Sequence, residues 1–588
     1  MWNKKFKYTA LSGYAFLLTF IFNLEAQNPS NFIIKYLNDV GQIIEIKYQK
    51  SDSLLFQTKL TDLFYQKEEE GYLFVKIDSI QRDSNVFIYC LSTGLKFKLL
   101  RLENIDIVNL KNQISKNELL SPKKWVQLRN LIIRNDVENG YPLSKISLHD
   151  VKIIEDSLTA KIDYQRGPYF KYGPIEERNQ IVVSERFLQR HLHIPVGRKF
   201  NYNVVRNVES NLSQIPYIEV QYPPRINFNG DEAIVYLYLK KKKNNTFDFL
   251  LGFNNKVTEN SKSIQLTGQA SFDLSNAFKI GERIAFHYEN LQVNSPRINI
   301  KLEFPYLKFI PFGTGFDFSL QKYTDQYIGL QTKLKLQKFL NFGEEINVFV
   351  LNEFSYLLNI DTLFIKNNNR LPQALDYSYL AYGLGYKINK LNYLSNPTRG
   401  YTIEIQASLG RKQFIKNSNV LLLDNNKFLE NQYDSLNRIN LQSNIHFNSS
   451  YYYSLLKRQV IKLAVNSSIL VSKAKILENE VFRIGGINTL RGFNDNLFAS
   501  KAYIISTLEY RFLLDRNSYL LGFIDHSYMS IITQTTTVPW QNYFGIGIGM
   551  QLQTQAGAFG IYFAVGKTEQ MKFDFAATKV HFGYTAKF

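Results

Sequence analysis

From residue 244 onward the sequence alternates. "TFDFLLGF" (246–253), "NVFVLNEFSYL" (347–357), "YTIEIQASLG" (401–410) and "KVHFGYTAKF" (579–588) place apolar side chains at every second position. That period belongs to a strand with two unlike faces. About sixteen such segments fit between 244 and 588, each long enough for the ~9–11 residues of a tilted membrane strand. Phe (45) and Tyr (38) dominate the apolar face. Beyond residue 26 no run approaches the ~18 apolar residues that a spanning helix needs. A sheet that meets lipid must close on itself, because hydrocarbon solvates no free backbone edge.

The connections support closure. If the first strand runs outward, those after odd strands face the exterior, where loops are long. The seventh ("IDTLFIKNNNRLPQALDY"), the ninth (from Arg411 to about Leu436) and the eleventh (from about Lys473 to Ser500) are long. "DRNS" (515–518) and "TQAGAFG" (554–560), after even strands, are short. The chain ends with Phe582, Tyr584, Ala586 and Phe588 on one face.

The amino terminus sets the compartment. Lys4, Lys5 and Lys7 precede the apolar core "YAFLLTFIFNL" (14–24), and cleavage after Ala26 is expected. Residues 1–26 therefore read as a signal peptide. The formal charge of +19 is compatible with nucleic acid or an anionic surface, yet no zinc spacing, RNP signature or long basic helix accompanies it. A nucleic-acid partner is not expected. Cys90 is the single cysteine, which excludes an internal disulfide and a multi-cysteine metal site. His191-x-His193 reads as surface decoration at a helix end, so no metal or cofactor is expected.

Residues 27–243 are repetitive. "EEEGYLFVKI" (68–77) and "VENGYPLSKI" (137–146) share Gly71-Tyr72 with Gly140-Tyr141, and Lys76-Ile77 with Lys145-Ile146. Each follows a segment of helical spacing, "QTKLTDLFYQK" and "WVQLRNLIIRN", and glycine there supplies a left-handed cap. Each precedes alternating strands expected to turn at Gly94 and at Gly167. A looser third copy has two amphipathic helical segments, "VVSERFLQRHL" and "NYNVVRNVESNLSQI", and strands around Asn229-Gly230. Units of strand, helix, helix, strand, strand in about 70 residues resemble the POTRA domain. The boundaries expected are 27–94, 95–167 and 168–243 for three POTRA domains, then 244–588 for the barrel. The resemblance implies periplasmic modules that bind unfolded chains by strand addition to a sheet edge.

"RIGGINTLRGF" (483–493) falls in the eleventh connection. Three POTRA-like modules, a sixteen-strand barrel and Arg491-Gly492-Phe493 in an outer loop together resemble the BamA/TamA outer-membrane assembly superfamily. In that family the arginine of a (V/I)RG(F/Y) motif folds into the lumen and meets acidic residues on the twelfth and thirteenth strands. On the twelfth, "AYIISTLEYRFLL", Leu508, Tyr510 and Phe512 read as lipid-facing, so Glu509 points inward. On the thirteenth, "YLLGFIDHSYMS", Asp525 stands where the family carries its acid, and Ser527 replaces a glycine. "NAFKIGERIAFHYE" (276–289) is similar to the family's second hairpin and keeps Gly281; "NPTRGYTIEI" (396–405) is similar to an element that opens a later strand.

The resemblance implies an all-β transmembrane barrel of 16 antiparallel strands after three small α+β domains. It implies an outer-membrane insertase of a Gram-negative cell. Clients would leave through a lateral gate between the first strand (Thr246–Phe253, with Phe247, Phe249 and Gly252) and the last (Lys579–Phe588, with Gly583, Tyr584 and Phe588). Glycine weakens strands, which would favour opening there. Partners are then outer-membrane lipids, unfolded outer-membrane proteins and a periplasmic or inner-membrane accessory protein. Three modules favour a TamA-like member. The second reading is an exporter pore of the two-partner-secretion type. An enzyme of the kind fused to some relatives would need Gly-x-Ser-x-Gly, which is missing.

Overall fold

The computed structural model describes residues 31–587 apart from 38–41, 50–52, 84–85, 104–117, 259–260, 291–294, 308–309, 311, 341–342, 373, 394–395, 424–426, 439, 533–538 and 555–556. The expected signal segment and Phe588 lie outside the described residues. Two compact units are present. One draws on Met1–Pro174, Ile194–Asn207 and Arg225–Tyr236, the other on Ile175–His193, Val208–Pro224 and Leu237–Phe588.

Three small α+β sheets come first. β1 (Asn31–Leu37), β2 (Ile43–Gln49), α1 (Ser53–Glu69), β3 (Lys76–Asp83) and β4 (Val86–Ser92) form a sheet in the order β2-β1-β4-β3. Leu60 and Leu63 of α1 cover it at Ile34, Phe87 and Tyr89. β5 (Leu99–Leu102), β6 (Leu119–Leu120), α2 (Pro122–Glu138), β7 (Lys145–Ile154) and β8 (Ser157–Gln165) repeat the plan in the order β6-β5-β8-β7. Ser121 caps α2 by accepting from the Lys124 amide at 3.3 Å, and Pro122 sits in its first turn. Trp125, Val126 and Ile132 bury against Leu100, Leu148 and Leu158. β9 (Lys171–Glu177), α3 (Glu185–His191), α4 (Tyr202–Arg206), α5 (Val208–Leu212), β10 (Ile218–Asn229) and β11 (Glu232–Lys241) give a sheet in the order β10-β11-β9, with Gly230 in its turn at φ +60°.

The repeated glycines do something other than the sequence suggests. The hairpins are β3–β4 and β7–β8, and they close beyond Asp83–Val86 and Ile154–Ser157. Gly94 and Gly167 instead lie in the connections that leave each small sheet. They do not close hairpins, because the strand that follows each one joins the next sheet. Gly71 and Gly140 seat that departing chain: their carbonyls accept from Phe97 N at 3.0 Å and Phe170 N at 2.8 Å. At Gly140, with φ +97°, a Cβ would stand 2.4 Å from the Tyr169 ring. Gly140→Val therefore costs about 1–3 kcal/mol in local strain and clash. We expect roughly tenfold faster tryptic cleavage at Arg166, because 1.4 kcal/mol is tenfold in an opening equilibrium; an unchanged rate contradicts this seating.

Among the described residues seventeen strands follow. The first eight are β12 (Thr246–Thr258), β13 (Ser261–Ser275), β14 (Arg283–Asn290), β15 (Arg297–Phe304), β16 (Gly313–Tyr323), β17 (Tyr327–Phe339), β18 (Glu344–Leu357) and β19 (Tyr377–Leu391). Next come β20 (Gly400–Phe414), β21 (Leu441–Leu456), β22 (Gln459–Ser472) and the short β23 (Phe482–Ile484), which pairs with the start of β24 (Phe498–Leu513). β25 (Tyr519–Ile531), β26 (Gln541–Gln553), β27 (Gly557–Lys567) and β28 (Lys579–Lys587) complete the set. β22 also pairs directly with β24, so sixteen strands form the wall of a closed antiparallel barrel. Leu508, Tyr510 and Phe512 are exposed on its outside while Glu509 and Arg511 are buried. Among the described residues no helix is long and apolar enough to cross a membrane.

Long and short connections alternate from the seventh onward: 358–376, 415–440 and 473–497 against 457–458, 514–518 and 554–556. Over the first six the order reverses, with 276–282 and 305–312 after even strands and 259–260 and 324–326 after odd ones. The cause is local. The longer even connections receive α3. Ser184 N donates to Lys279 O at 2.7 Å, and Asn276 Nδ2 donates to Val182 O at 2.9 Å. Arg190 donates to the carbonyls of Leu307 and Ile310. Gly281 has no side chain because a Cβ there would lie 2.1 Å from the Phe187 ring.

His191 is half-buried in this contact while His193 is exposed, so the reading as surface decoration fits only His193. His191 stacks on Phe187 at 5.2 Å, and its Nδ1 lies 3.3 Å from Tyr306 Oη. Burial, with His193 nearby, lowers its pKa to about 4. The imidazole is thus neutral when folded and takes a proton near its ordinary value when unfolded. Stability from this contact is complete above pH 6.5 and falls as pH drops toward 4, by about 2 kcal/mol at pH 5. Phe in place of His191 should remove that loss, as read by unfolding of the full chain at pH 7.5 and pH 5.

Candidate functional site: a tethered loop and a short seam

The eleventh connection turns back on itself at Gly485 and Gly486, where φ is +128° and +91°. A Cβ at Gly485 would lie 2.2 Å from Asn494 O, so the reversal needs bare backbone there. Past the reversal, Arg491 enters the barrel interior. Its Nε and NH2 donate to Asp525 Oδ2 and Oδ1, both at 2.7 Å, and its NH1 donates to Glu509 Oε2 at 3.1 Å. The first pair is the bidentate fork that suits a carboxylate. The guanidinium carbon lies 3.5 Å from the Phe523 ring centroid, a cation–π contact.

Charge balance extends along the wall. Glu509 also accepts from Arg511 Nε at 2.6 Å, and Arg511 NH1 donates to Asn396 Oδ1 at 3.1 Å. Asn396 opens the "NPTRG" segment and holds φ +50°. Asp525 accepts a further bond from Thr507 Oγ1 at 2.8 Å. Two cations therefore alternate with two carboxylates, all buried. Such pairs persist out of water when further hydrogen bonds satisfy them, as the Thr507 hydroxyl does for Asp525. Ser527 is fully buried, and its hydroxyl has no hydrogen-bond partner among the described residues.

Gly492 and Phe493 complete the motif by shape. Gly492, at φ +92°, rests on Val565 and Gly566; a Cβ there would come within 2.7 Å of the Val565 carbonyl carbon. Gly545 and Gly566 stand opposite each other on β26 and β27 and form the slot. A Cβ at Gly545 would reach 2.0 Å from Arg491 O. Phe493 packs on Phe498 at 5.2 Å and on Tyr543 at 6.3 Å. Sequence reasoning missed Gly545, Gly566, Phe523 and Asn396. One signal was available: "FGIGIGM" repeats glycine on one face of β26, the mark of a wall that something approaches closely.

The seam is short. Thr246 faces Lys587 and Phe247 faces Ala586, and no further pair joins β12 to β28 among the described residues. Pairing of the first strand with the last was expected, through a seam weakened by glycine; the pairing is confined to the start of β12 and the end of β28. Gly252 lies opposite Thr267 on β13, while Gly583 and Tyr584 lie opposite Gly560 and Phe559 on β27. Phe247 and Phe249 are exposed. Beyond Phe247 the ladder between β12 and β28 does not continue among the described residues.

A closed sixteen-strand wall with a loop tethered inside it defines a membrane barrel. The Omp85 superfamily domain matches residues 227–588, and the chain belongs to that superfamily. Omp85 proteins are outer-membrane barrels that transport or assemble other proteins and are not enzymes. Among solved structures, CdiB from Escherichia coli is similar at 12% identity over 92% of this chain and 99% of its own, with a TM-score of 0.53. CdiB from Acinetobacter baumannii matches at 12% identity over 91% and 98%, with a TM-score of 0.49. BamA from Haemophilus ducreyi lacking POTRA domains 1–3 matches at 15% identity over 84% and 100%, with a TM-score of 0.46. The E. coli likeness shows the fold alone. A search among curated proteins found no match.

Removing one partner of a buried pair costs roughly 3–5 kcal/mol, less where lumen water reaches it. Asp525→Asn should lower barrel stability in lipid vesicles by that order. Gly545→Ala, which changes no charge, should dislodge the same loop. Combined, their costs should fall short of the sum, since both act on one contact. Urea unfolding of both variants and the double variant checks this; strict additivity would show two unrelated sites.

Proposed function

We propose that this chain is an outer-membrane insertase: it receives unfolded outer-membrane proteins on its amino-terminal modules and releases them into the bilayer sideways, between β12 and β28. Residues 27–94, 95–167 and 168–243 act as three POTRA domains in the periplasm, after a signal peptide of residues 1–26, as in a TamA-like member. Arg491, Gly492, Phe493, Glu509 and Asp525 act as a lumen clamp that keeps the barrel in register while its seam opens. Phe247, Phe249, Gly252, Gly583, Tyr584 and Phe588 line the gate. An accessory protein in the periplasm or inner membrane completes the apparatus.

The observation that carries this reading is the seam confined to Thr246–Lys587 and Phe247–Ala586. An unpaired backbone edge in hydrocarbon is costly, and an incoming strand would satisfy it. Opening such a seam breaks few ladder bonds, whereas every other wall pair is extensively laddered.

Cysteines at Phe247 and Ala586 face each other across the seam, and the bond they form should stop assembly. We expect a fall in barrel proteins of the outer membrane on oxidation and recovery on reduction. Full assembly by the locked chain would refute a sideways gate. Depletion that leaves every barrel protein at its normal level while one secreted protein stays in the cell would instead identify an exporter.

A further inference from the structure

The eleventh connection is held at a second place, far along the wall from Arg491. Between its start and Gly485 it crosses to β18, β19 and β20. Lys412 of β20 and Glu480 of the connection form an ion pair at 2.7 Å, with side chains 0% and 1% exposed. All three ammonium protons are used, on Glu480 Oε1 at 2.7 Å, Glu480 Oε2 at 3.0 Å and Lys475 O at 2.6 Å. Asn479 Nδ2 donates to Ser355 Oγ at 2.7 Å and to Leu375 O at 3.0 Å. Lys475 Nζ donates to Pro372 O at 3.0 Å. Arg483 lies 4.4 Å from the Tyr323 ring and donates to Tyr327 Oη at 3.3 Å.

These partners tie the limb to a second small core. α6 (Thr362–Asn368) belongs to the seventh connection, and α7 (Ser418–Leu421) and α8 (Phe428–Leu436) to the ninth. Ile365, Val420, Leu429 and Tyr433 of these helices bury together with Ala474 and Leu477 of the eleventh connection. Asp376 joins the loops further: it accepts from Leu357 N at 2.6 Å and from Asn417 Nδ2 at 2.6 Å. Limb 474–483 is thus part of a cap made by three connections, and 491–493 is part of a clamp on β24 to β27. The glycine reversal at 485–486 separates them.

We propose that the connection carries two locks that release independently: the Arg491 clamp, and a Lys412–Glu480 lock that fastens the limb to the cap of the seventh and ninth connections. The second lock governs closure at that end of the barrel, and the first governs wall register. The inference needs no assumption about which clients pass the seam.

The test is limited trypsin digestion of the full chain in lipid vesicles, with cut sites mapped by mass spectrometry and barrel integrity read by heat-dependent gel mobility. Lys473, Lys475 and Arg483 report on the limb, and Arg491 on the clamp. Glu480→Gln should raise cutting at Lys473 and Lys475 at least tenfold and leave Arg491 protected. Asp525→Asn should do the reverse, exposing Arg491 while Lys475 stays protected. Should Glu480→Gln fail to fold, Asn479→Ala removes two hydrogen bonds and no charge, and the same limb cuts are expected from it. Simultaneous exposure of both regions by either variant, or no change at Lys475 in a folded Glu480→Gln or Asn479→Ala barrel, overturns the proposal.

Discussion

Backbone pairing in hydrocarbon governs this molecule. A peptide group that lacks a partner in lipid costs several kcal/mol, so a sheet there must satisfy itself strand by strand. The wall from β12 to β28 does so along nearly all its length. Its shortfall is gathered at one place, the seam, where the ladder between β12 and β28 stops after Phe247 among the described residues. Both the gate reading and the distribution of internal tethers take their sense from that concentration.

A wall with a weak seam needs its register fixed elsewhere, and the interior supplies this with charge. Arg491 spans carboxylates on β24 and β25, and Arg511 carries the chain of pairs on to Asn396 before β20. Further round, Lys412 and Glu480 do the same between β20 and the eleventh connection. Each pair is buried, so each is expensive to break from one side. At the other end α3 fills the long connections beside β13 to β17 with aromatic packing and captured carbonyls.

Much of this was legible in order along the chain. Period two put Glu509 on the inner face because its neighbours Leu508 and Tyr510 are apolar and outward, while Asp525 was reached through the family resemblance. The long seventh, ninth and eleventh connections were visible for the same reason. The reversed lengths over the first six connections were not, since they answer to a helix that ends 85 residues before the second connection (276 − 191). Gly94 and Gly167 misled for a related reason. A glycine between two strands looks alike whether it closes a hairpin or sends the chain to the next sheet, and only strand pairing tells them apart.

Strand period and the inward and outward faces follow from the order of residues, because they depend on neighbours two positions away. The folded barrel fixes where the ladder stops at the seam, which bare glycines, Gly545 and Gly566, receive the Arg-Gly-Phe turn, and that Lys412 finds Glu480. Those outcomes depend on register between segments distant along the chain, and register is set by the packing of the closed sheet as a whole.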